Sequence, residues 1–108
     1  MSEDSTAGMK FEDRADTLRV AAVKELGAAN ANAFRDRVRQ GLAKHHKNVD
    51  IDLAQTTFVD SCGLGALVAL HKTVCSRQGK LRLLNPQPAV QQILDLTRMS
   101  RIFEVVKT

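Results

Sequence analysis

Asp60 and Ser61 are the side chains of this chain that are best placed to do chemistry at the end of a helix. They stand between a short hydrophobic segment and an apolar stretch with helical periodicity, which predicts that a helix begins there. Asp and Ser oxygens accept hydrogen bonds from the unpaired N–H groups of a helix N-terminus, whose partial positive charge also stabilises an anion. The small residues Cys62, Gly63 and Gly65 would leave the Ser61 hydroxyl uncovered. Ser61 is therefore a candidate site for recognition or covalent modification by another protein.

Simple helix capping is the alternative explanation of this pair, and it requires no function. Gly63 favours more than capping, because a glycine in the first helical turn lowers helix stability relative to alanine. A missing side chain at that point would let another molecule approach the backbone closely. On the local sequence alone, both explanations remain open.

Catalysis is not supported by the spacing of the imidazole groups. His71 lies ten residues after Ser61, roughly 15 Å along one helix, so it cannot act as the base for that hydroxyl. Cys62 and His71 are nine residues apart, on opposite helix faces, and His71 is expected to be a partly buried helix residue. Gly63 and Gly65 form neither a nucleophile elbow nor a phosphate-binding loop. We predict no catalytic residue and expect that the protein is not an enzyme.

Metal and disulfide chemistry are not predicted either. His45 and His46 are adjacent in a basic segment, and without further ligands at a suitable spacing they indicate no metal site. Cys62 and Cys75 would lie roughly 20 Å apart on one helix, which is beyond the reach of a disulfide. Both cysteines are expected to be free thiols, and no cofactor is predicted.

Length and composition indicate one globular domain, with 108 residues of which 44% are hydrophobic and 26% charged. Neither Trp nor Tyr is present, which argues against a nucleic-acid reader that stacks bases on aromatic rings. The net charge of +4 favours acidic partners. No apolar stretch approaches the roughly 20 residues that span a bilayer, and the polar, acidic N-terminus is unlike a secretory signal. We expect no membrane insertion, no direct nucleic-acid binding and a cytoplasmic location.

The elements that would position Asp60 and Ser61 alternate between strands and helices. Strands are predicted at 10–12, 17–26, 48–53, 81–84 and 103–106. Helices are predicted from the segment 28–32 to about 44, from 61 to 78, and from 88 to about 97, where apolar residues recur every three or four positions. This order indicates an α/β domain with a substantially parallel sheet. Residues 1–9 are expected to form a flexible tail, and residues 10–108 the domain.

The segment 58–67, FVDSCGLGAL, preceded by the strand 49–53, resembles the signature of the STAS family and in particular that of bacterial anti-sigma factor antagonists. The segments LRLLNP at 81–86 and PAV at 88–90, with the apolar positions between 93 and 103, resemble the C-terminal half of the same family. The resemblance covers roughly residues 10–106. It implies a single STAS domain with a mixed, largely parallel sheet of four to five strands and with three to four helices.

The resemblance implies a regulatory protein that switches between partners. In this family the unmodified antagonist binds an anti-sigma factor that is also a serine kinase, and so frees the sigma factor. Phosphorylation ends that binding, and a phosphatase of the PP2C type restores it. Carried over by position, Ser61 is the phosphoacceptor, and the residues implied to contact the partner are Asp60, Ser61, Cys62, Gly63 and Leu64. Weak self-association is left open.

Two positions depart from the family pattern. Cys62 stands where a second serine is common, and Gly27 follows Leu26 where relatives often carry an acidic residue that helps contact the kinase. The departure at Gly27 leaves room for a second interpretation, a STAS subunit of a membrane lipid-transport complex that docks on its ATPase. Identification of the bound partner separates the two, because one predicts a kinase and the other a transporter ATPase.

Overall fold

The computed structural model describes residues 9–21 and 23–108. The helices of this part of the chain are α1 (Ala31–Gly41), α2 (Ser61–Ser76) and α3 (Pro88–Leu96), and a 3-10 helix covers Met99–Arg101. The strands are β1 (Lys10–Arg14), β2 (Thr17–Ala21), β3 (Glu25–Leu26), β4 (Asn48–Asp52), β5 (Phe58–Val59), β6 (Leu81–Leu84) and β7 (Glu104–Val106). Of the predicted tail, residues 1–8 lie outside the described residues, and Met9 is buried in the core.

Five strands form the main sheet, in the order β1-β2-β4-β6-β7. The β1–β2 pair is antiparallel and the other three pairs are parallel, which confirms the prediction of a mixed, largely parallel sheet. One face of the sheet carries the apolar core, where strand and helix side chains with almost no exposure belong to one cluster: Val20, Ile51, Leu83, Phe34, Leu67 and Leu70. Among the described residues, no helix has both the length and the apolar character needed to cross a bilayer.

The other face of the sheet carries a row of charged side chains that we call the charged row. The strand register aligns its members across all five strands, one from each: Glu12, Arg19, Asp50, Arg82 and Glu104. Their signs alternate along the row. Arg82 donates two hydrogen bonds to Asp50, with N–O distances of 2.7 and 2.9 Å, and Arg19 lies 3.4 Å from Glu12. Opposite charges on directly paired strand positions stabilise the register.

The predicted single strand over residues 17–26 is wrong, because the chain changes partner within it. β2 pairs with β4 in the main sheet, whereas β3 pairs in parallel with β5. Between β2 and β3, the carbonyl of Val23 accepts a hydrogen bond from the hydroxyl of buried Thr56, and the N–H of Thr57 donates to the carbonyl of Lys24 at 2.9 Å. The pair β3–β5, which we call the short ladder, holds the segments that precede Gly27 and Asp60.

The three helices confirm the periodicity argument. Helix α1 ends at Gly41 rather than near Lys44, and α2 ends at Ser76 rather than near residue 78. The predicted strand 103–106 begins one residue later, because Phe103 is buried in the core and its N–H donates to the carbonyl of Met99 at 3.1 Å.

Candidate functional site

The short ladder brings the loop after β3 beside the start of α2, since parallel strands end at the same edge of their sheet. Asp60 joins the two. One oxygen of its carboxylate accepts the N–H of Gly63 at 3.0 Å, which caps α2. The other oxygen accepts the N–H of Ala28 at 3.0 Å, in the loop after β3. A single carboxylate therefore caps a helix and fixes a neighbouring loop.

The same hydrogen bonds keep Asp60 ionised. Donation from Gly63, and next from Ala28, lowers the pKa of the Asp60 carboxyl below its ordinary value. The N-terminus of α2 therefore already holds one negative charge next to Ser61. A second negative charge added at that hydroxyl would lie beside the first.

Asn30 organises the loop from the opposite side, and the sequence analysis did not single it out. Its side-chain amide donates to the carbonyl of Glu25 at 2.7 Å and accepts the N–H of Gly27 at 2.9 Å. The side chain is buried, with 3% exposure. An asparagine just before a helical segment is the sequence signal for this role, because its short amide bonds readily to nearby backbone.

Ser61 is exposed on the first turn of α2, as predicted, and Cys62 beside it is exposed too. Within residues 9–21 and 23–108, no hydrogen bond ties the Ser61 hydroxyl to another group. Phe58 is 51% exposed and lines a cleft of about 190 Å³ together with Gly27, Ala28 and Asp60. An exposed aromatic residue and an exposed serine thus flank Asp60 in the chain.

Gly63 and Leu64, predicted to contact a partner, are buried instead. A β-carbon added at Gly63 would lie 2.1 Å from the carbonyl oxygen of Leu26, so the glycine lets α2 approach the backbone of β3. The prediction that this missing side chain makes room for another molecule is wrong. The close approach that Gly63 permits is internal to the domain.

Gly65 provides the open surface that was expected at Gly63. It is exposed, and no atom lies within 4 Å of the position where its β-carbon would be. Ser61 and Gly65 are four residues apart on α2 and so lie on one face of the helix. The four-residue spacing is the signal that the sequence analysis missed.

Gly27 is tightly enclosed by the site. A β-carbon at this position would lie 2.8 Å from a carboxylate oxygen of Asp60 and 2.8 Å from the ring of Phe58. An acidic side chain here would crowd a second carboxylate against Asp60. The position of Asp60 therefore favours a glycine at residue 27 of this chain.

A cluster of metal-ligand residue types lies outside this site. His45 and His46, for which the sequence offered no further ligand, meet Asp13 of β1, and their ligand atoms lie within 4.8 Å of one another. The Nδ1 atom of buried His46 accepts the N–H of Ala43 at 2.9 Å, so its proton is on Nε2, which faces Asp13 at 3.0 Å. A metal-bound imidazole needs the opposite arrangement, with a free lone pair on Nε2. The geometry supports a structural hydrogen bond between β1 and the loop after α1.

Comparison with known proteins identifies the family of this chain. The STAS domain model matches residues 9–108. A protein of Thermotoga maritima, described as a candidate anti-sigma factor antagonist, is 31% identical over 86 residues, which is 79% of this chain and 76% of that protein.

Solved structures show the same fold. A crystal structure of a candidate anti-sigma factor antagonist from Thermotoga maritima has a TM-score of 0.86 at 24% identity, and the match covers 98% of this chain and 92% of that one. SpoIIAA of Bacillus, an anti-sigma factor antagonist, gives TM-scores of 0.77 unphosphorylated and 0.67 phosphorylated, at 17% identity. Those two matches cover 91% of this chain and 87% and 90% of the SpoIIAA chains. With a family match over nearly its whole length, this chain belongs to the STAS domain family.

Proposed function

We propose that this chain is an anti-sigma factor antagonist that acts by partner switching, with Ser61 as its phosphoacceptor. Unmodified, it binds an anti-sigma factor that is also a serine kinase, and so releases the sigma factor. Phosphorylation of Ser61 ends that binding, and a PP2C-type phosphatase restores it, in the cytoplasm. The observation that carries the proposal is the exposed Ser61 hydroxyl on the first turn of α2, adjacent to the Asp60 cap.

The surface that would dock on the partner surrounds this hydroxyl. We call it the docking face, and its residues are Ala28, Phe58, Ser61, Cys62 and Gly65, all exposed. Aromatic side chains carry a large share of the binding free energy at protein interfaces, which favours Phe58 as an anchor. Small residues beside it would let a partner backbone approach. Asp60 acts mainly by holding the two halves of the docking face together.

A phosphate on Ser61 would change binding far more than folding. It adds about −1.5 to −2 charges at neutral pH. The helix dipole stabilises such a group by about 0.3–1 kcal/mol, which works against repulsion from the Asp60 carboxylate. At a docked interface the same phosphate must lose its water, at a cost of several kcal/mol unless the partner supplies cations. Each 1.4 kcal/mol is about tenfold in affinity, so the interface term dominates.

The test combines identification of the modified residue with a charge series. Mass spectrometry of the protein isolated from its native host should find phosphate on the peptide that contains Ser61. The partner is captured from the same host by pull-down and purified. Ser61→Ala should bind it as tightly as the wild type does and should escape phosphorylation. Ser61→Asp should weaken binding by about tenfold or more, since it places a charge in the interface.

Ser76 offers a matched control. It is exposed on the same helix, fifteen residues away and so roughly 22 Å from Ser61. Ser76→Asp adds the same charge outside the docking face and should leave affinity unchanged. If Ser61→Asp bound as tightly as Ser76→Asp, the proposed switch would be wrong. Capture of a transporter ATPase instead of a kinase would favour the lipid-transport interpretation.

A further inference from the structure

A second exposed thiol lies at the other end of α2, in a cleft that the proposed switch does not use. The Sγ atom of Cys75 is 3.5 Å from Nε2 and 3.9 Å from Nδ1 of His71, one helical turn away. The spacing that separates His71 from Ser61 and Cys62 does not separate it from Cys75. The four-residue spacing between His71 and Cys75 was the signal for this pair.

The His71 ring is held in place from its far side. It stacks edge to face on the ring of Phe103, with centroids 5.7 Å apart and an interplanar angle of 81°. Phe103 is buried, at 3% exposure, which anchors the imidazole against the core. An imidazole within hydrogen-bonding distance of a thiol can take its proton as the sulfur attacks a disulfide.

The thiol and the imidazole open onto a cleft of about 330 Å³ between α2 and the segment that leads into β7. Arg101 and Lys80 line this cleft, together with Glu104, which lies 3.9 Å from the Lys80 amine. The Glu104–Lys80 pair is close to neutral, so Arg101 leaves the cleft with a positive charge. A guanidinium binds a carboxylate through two parallel hydrogen bonds.

We propose that Cys75 is a modification site for small disulfides that carry carboxylates, with His71 as the proton acceptor and Arg101 as the anion contact. His71 takes the thiol proton, and the Cys75 sulfur attacks one sulfur of the disulfide. A new S–S bond forms to Cys75 as the original S–S bond breaks. The leaving thiolate receives the proton from His71, so the Cys75 sulfur is oxidised and the departing sulfur is reduced.

Cys62 is the internal reference for this reaction, because it is exposed on the same helix but lies at the opposite end, far from His71. The reduced full-length protein is incubated with glutathione disulfide, and peptide mass mapping gives the rate at each thiol. We expect His71→Gln to slow the reaction at Cys75 several-fold and to leave the rate at Cys62 unchanged. An unchanged rate at Cys75 in His71→Gln, or an equal slowing at both thiols, would refute the proposal.

Arg101 supplies a second test that does not disturb the packing around His71, because its side chain is exposed. Arg101→Gln should slow the reaction with glutathione disulfide several-fold and leave the reaction with cystamine, a cationic disulfide, unchanged. Arg39→Gln, an exposed arginine on α1 that does not line the cleft, is the matched control and should change neither rate. An equal effect of Arg101→Gln and Arg39→Gln on the glutathione reaction would overturn the proposed preference for anions.

Discussion

At the scale of single residues, Gly63 and Gly65 lie on opposite sides of the first turns of α2. Gly63 faces the carbonyl of Leu26, and Gly65 faces solvent. A methyl group has no room at the first position and open space at the second. The same substitution at the two glycines therefore has opposite physical consequences.

We expect Gly63→Ala to lower the free energy of unfolding by about 1–3 kcal/mol, since the backbone of β3 must move to admit the methyl group. Gly65→Ala should raise it by about 0.5–1 kcal/mol, because alanine restricts the unfolded chain and no clash opposes it. Urea unfolding of the two variants measures both effects. If both alanines destabilised the domain equally, the assignment of an open face to Gly65 would be incorrect.

Residue types in the sequence predicted the cap but not the packing beneath it. Asp60 could be assigned because its hydrogen bond to Gly63 is local, three residues along the chain. The role of Gly63 depends on Leu26, 37 positions earlier, which becomes its neighbour only once β3 pairs with β5. For the same reason the meeting of His46 with Asp13 was not foreseen.

At the scale of elements, Asp60 links the start of α2 to the loop that begins α1. Both of its hydrogen bonds need the carboxylate form, and they lower the pKa of Asp60. The stabilisation from this group is complete above the ordinary pKa of an aspartate and is lost as the pH falls through the lowered value. Acid should therefore loosen the contact between helix and loop.

Asp60→Asn tests this link, because the amide can still accept from Gly63 but presents an N–H group to the N–H of Ala28. We expect the variant to be less stable than the wild type at neutral pH. The difference in the free energy of unfolding should vanish as the pH falls below the usual aspartate range. The pKa of Asp13 is also lowered, by its hydrogen bonds to His46 and then His45, but both proteins share that group. A gap in urea midpoint that stays constant with pH would contradict the prediction.

Periodicity predicted the helices and most strands, since the repeat of apolar residues is a local property of the chain. It did not predict the break between β2 and β3, because residues 17–26 are continuously suited to a strand and only the change of partner from β4 to β5 divides them. The short ladder was missed with it. That ladder is what places Gly27 next to Asp60.

At the scale of the whole molecule, the charged row shows how the charged side chains on the open face of the sheet are paired. The alternation of charged and apolar residues over 48–53 indicates only that one face of this strand is in contact with water. It could not predict that these charges would pair across strands, because the register depends on contacts about 30 residues apart, such as that between Asp50 and Arg82. The hydrogen bonds from Arg82 leave the Asp50 side chain only 14% exposed.

Arg82→Met keeps an unbranched apolar stem and removes both hydrogen bonds to Asp50. We expect a loss of about 1 kcal/mol in the free energy of unfolding, because the carboxylate is mostly buried while the arginine is partly screened by water. Lys80→Met, two residues before Arg82 in the chain, is the control. The Lys80 side chain is 76% exposed and 3.9 Å from Glu104, so its loss should have little effect on the urea midpoint. Equal losses in the two variants would count against the charged row as a stabilising feature.

The charged row has a further consequence for how partners meet this protein. Its three carboxylates and two guanidinium groups nearly cancel, although the chain as a whole carries +4. The excess positive charge therefore lies on other surfaces. Among them are helix α1 and the loop that follows it, which carry Arg35, Arg39, Lys44 and Lys47. Such an uneven field would rotate an approaching acidic protein before the two touch. Encounter would accordingly be fast in dilute buffer and would slow as added salt screens the attraction, even where the final affinity hardly moves.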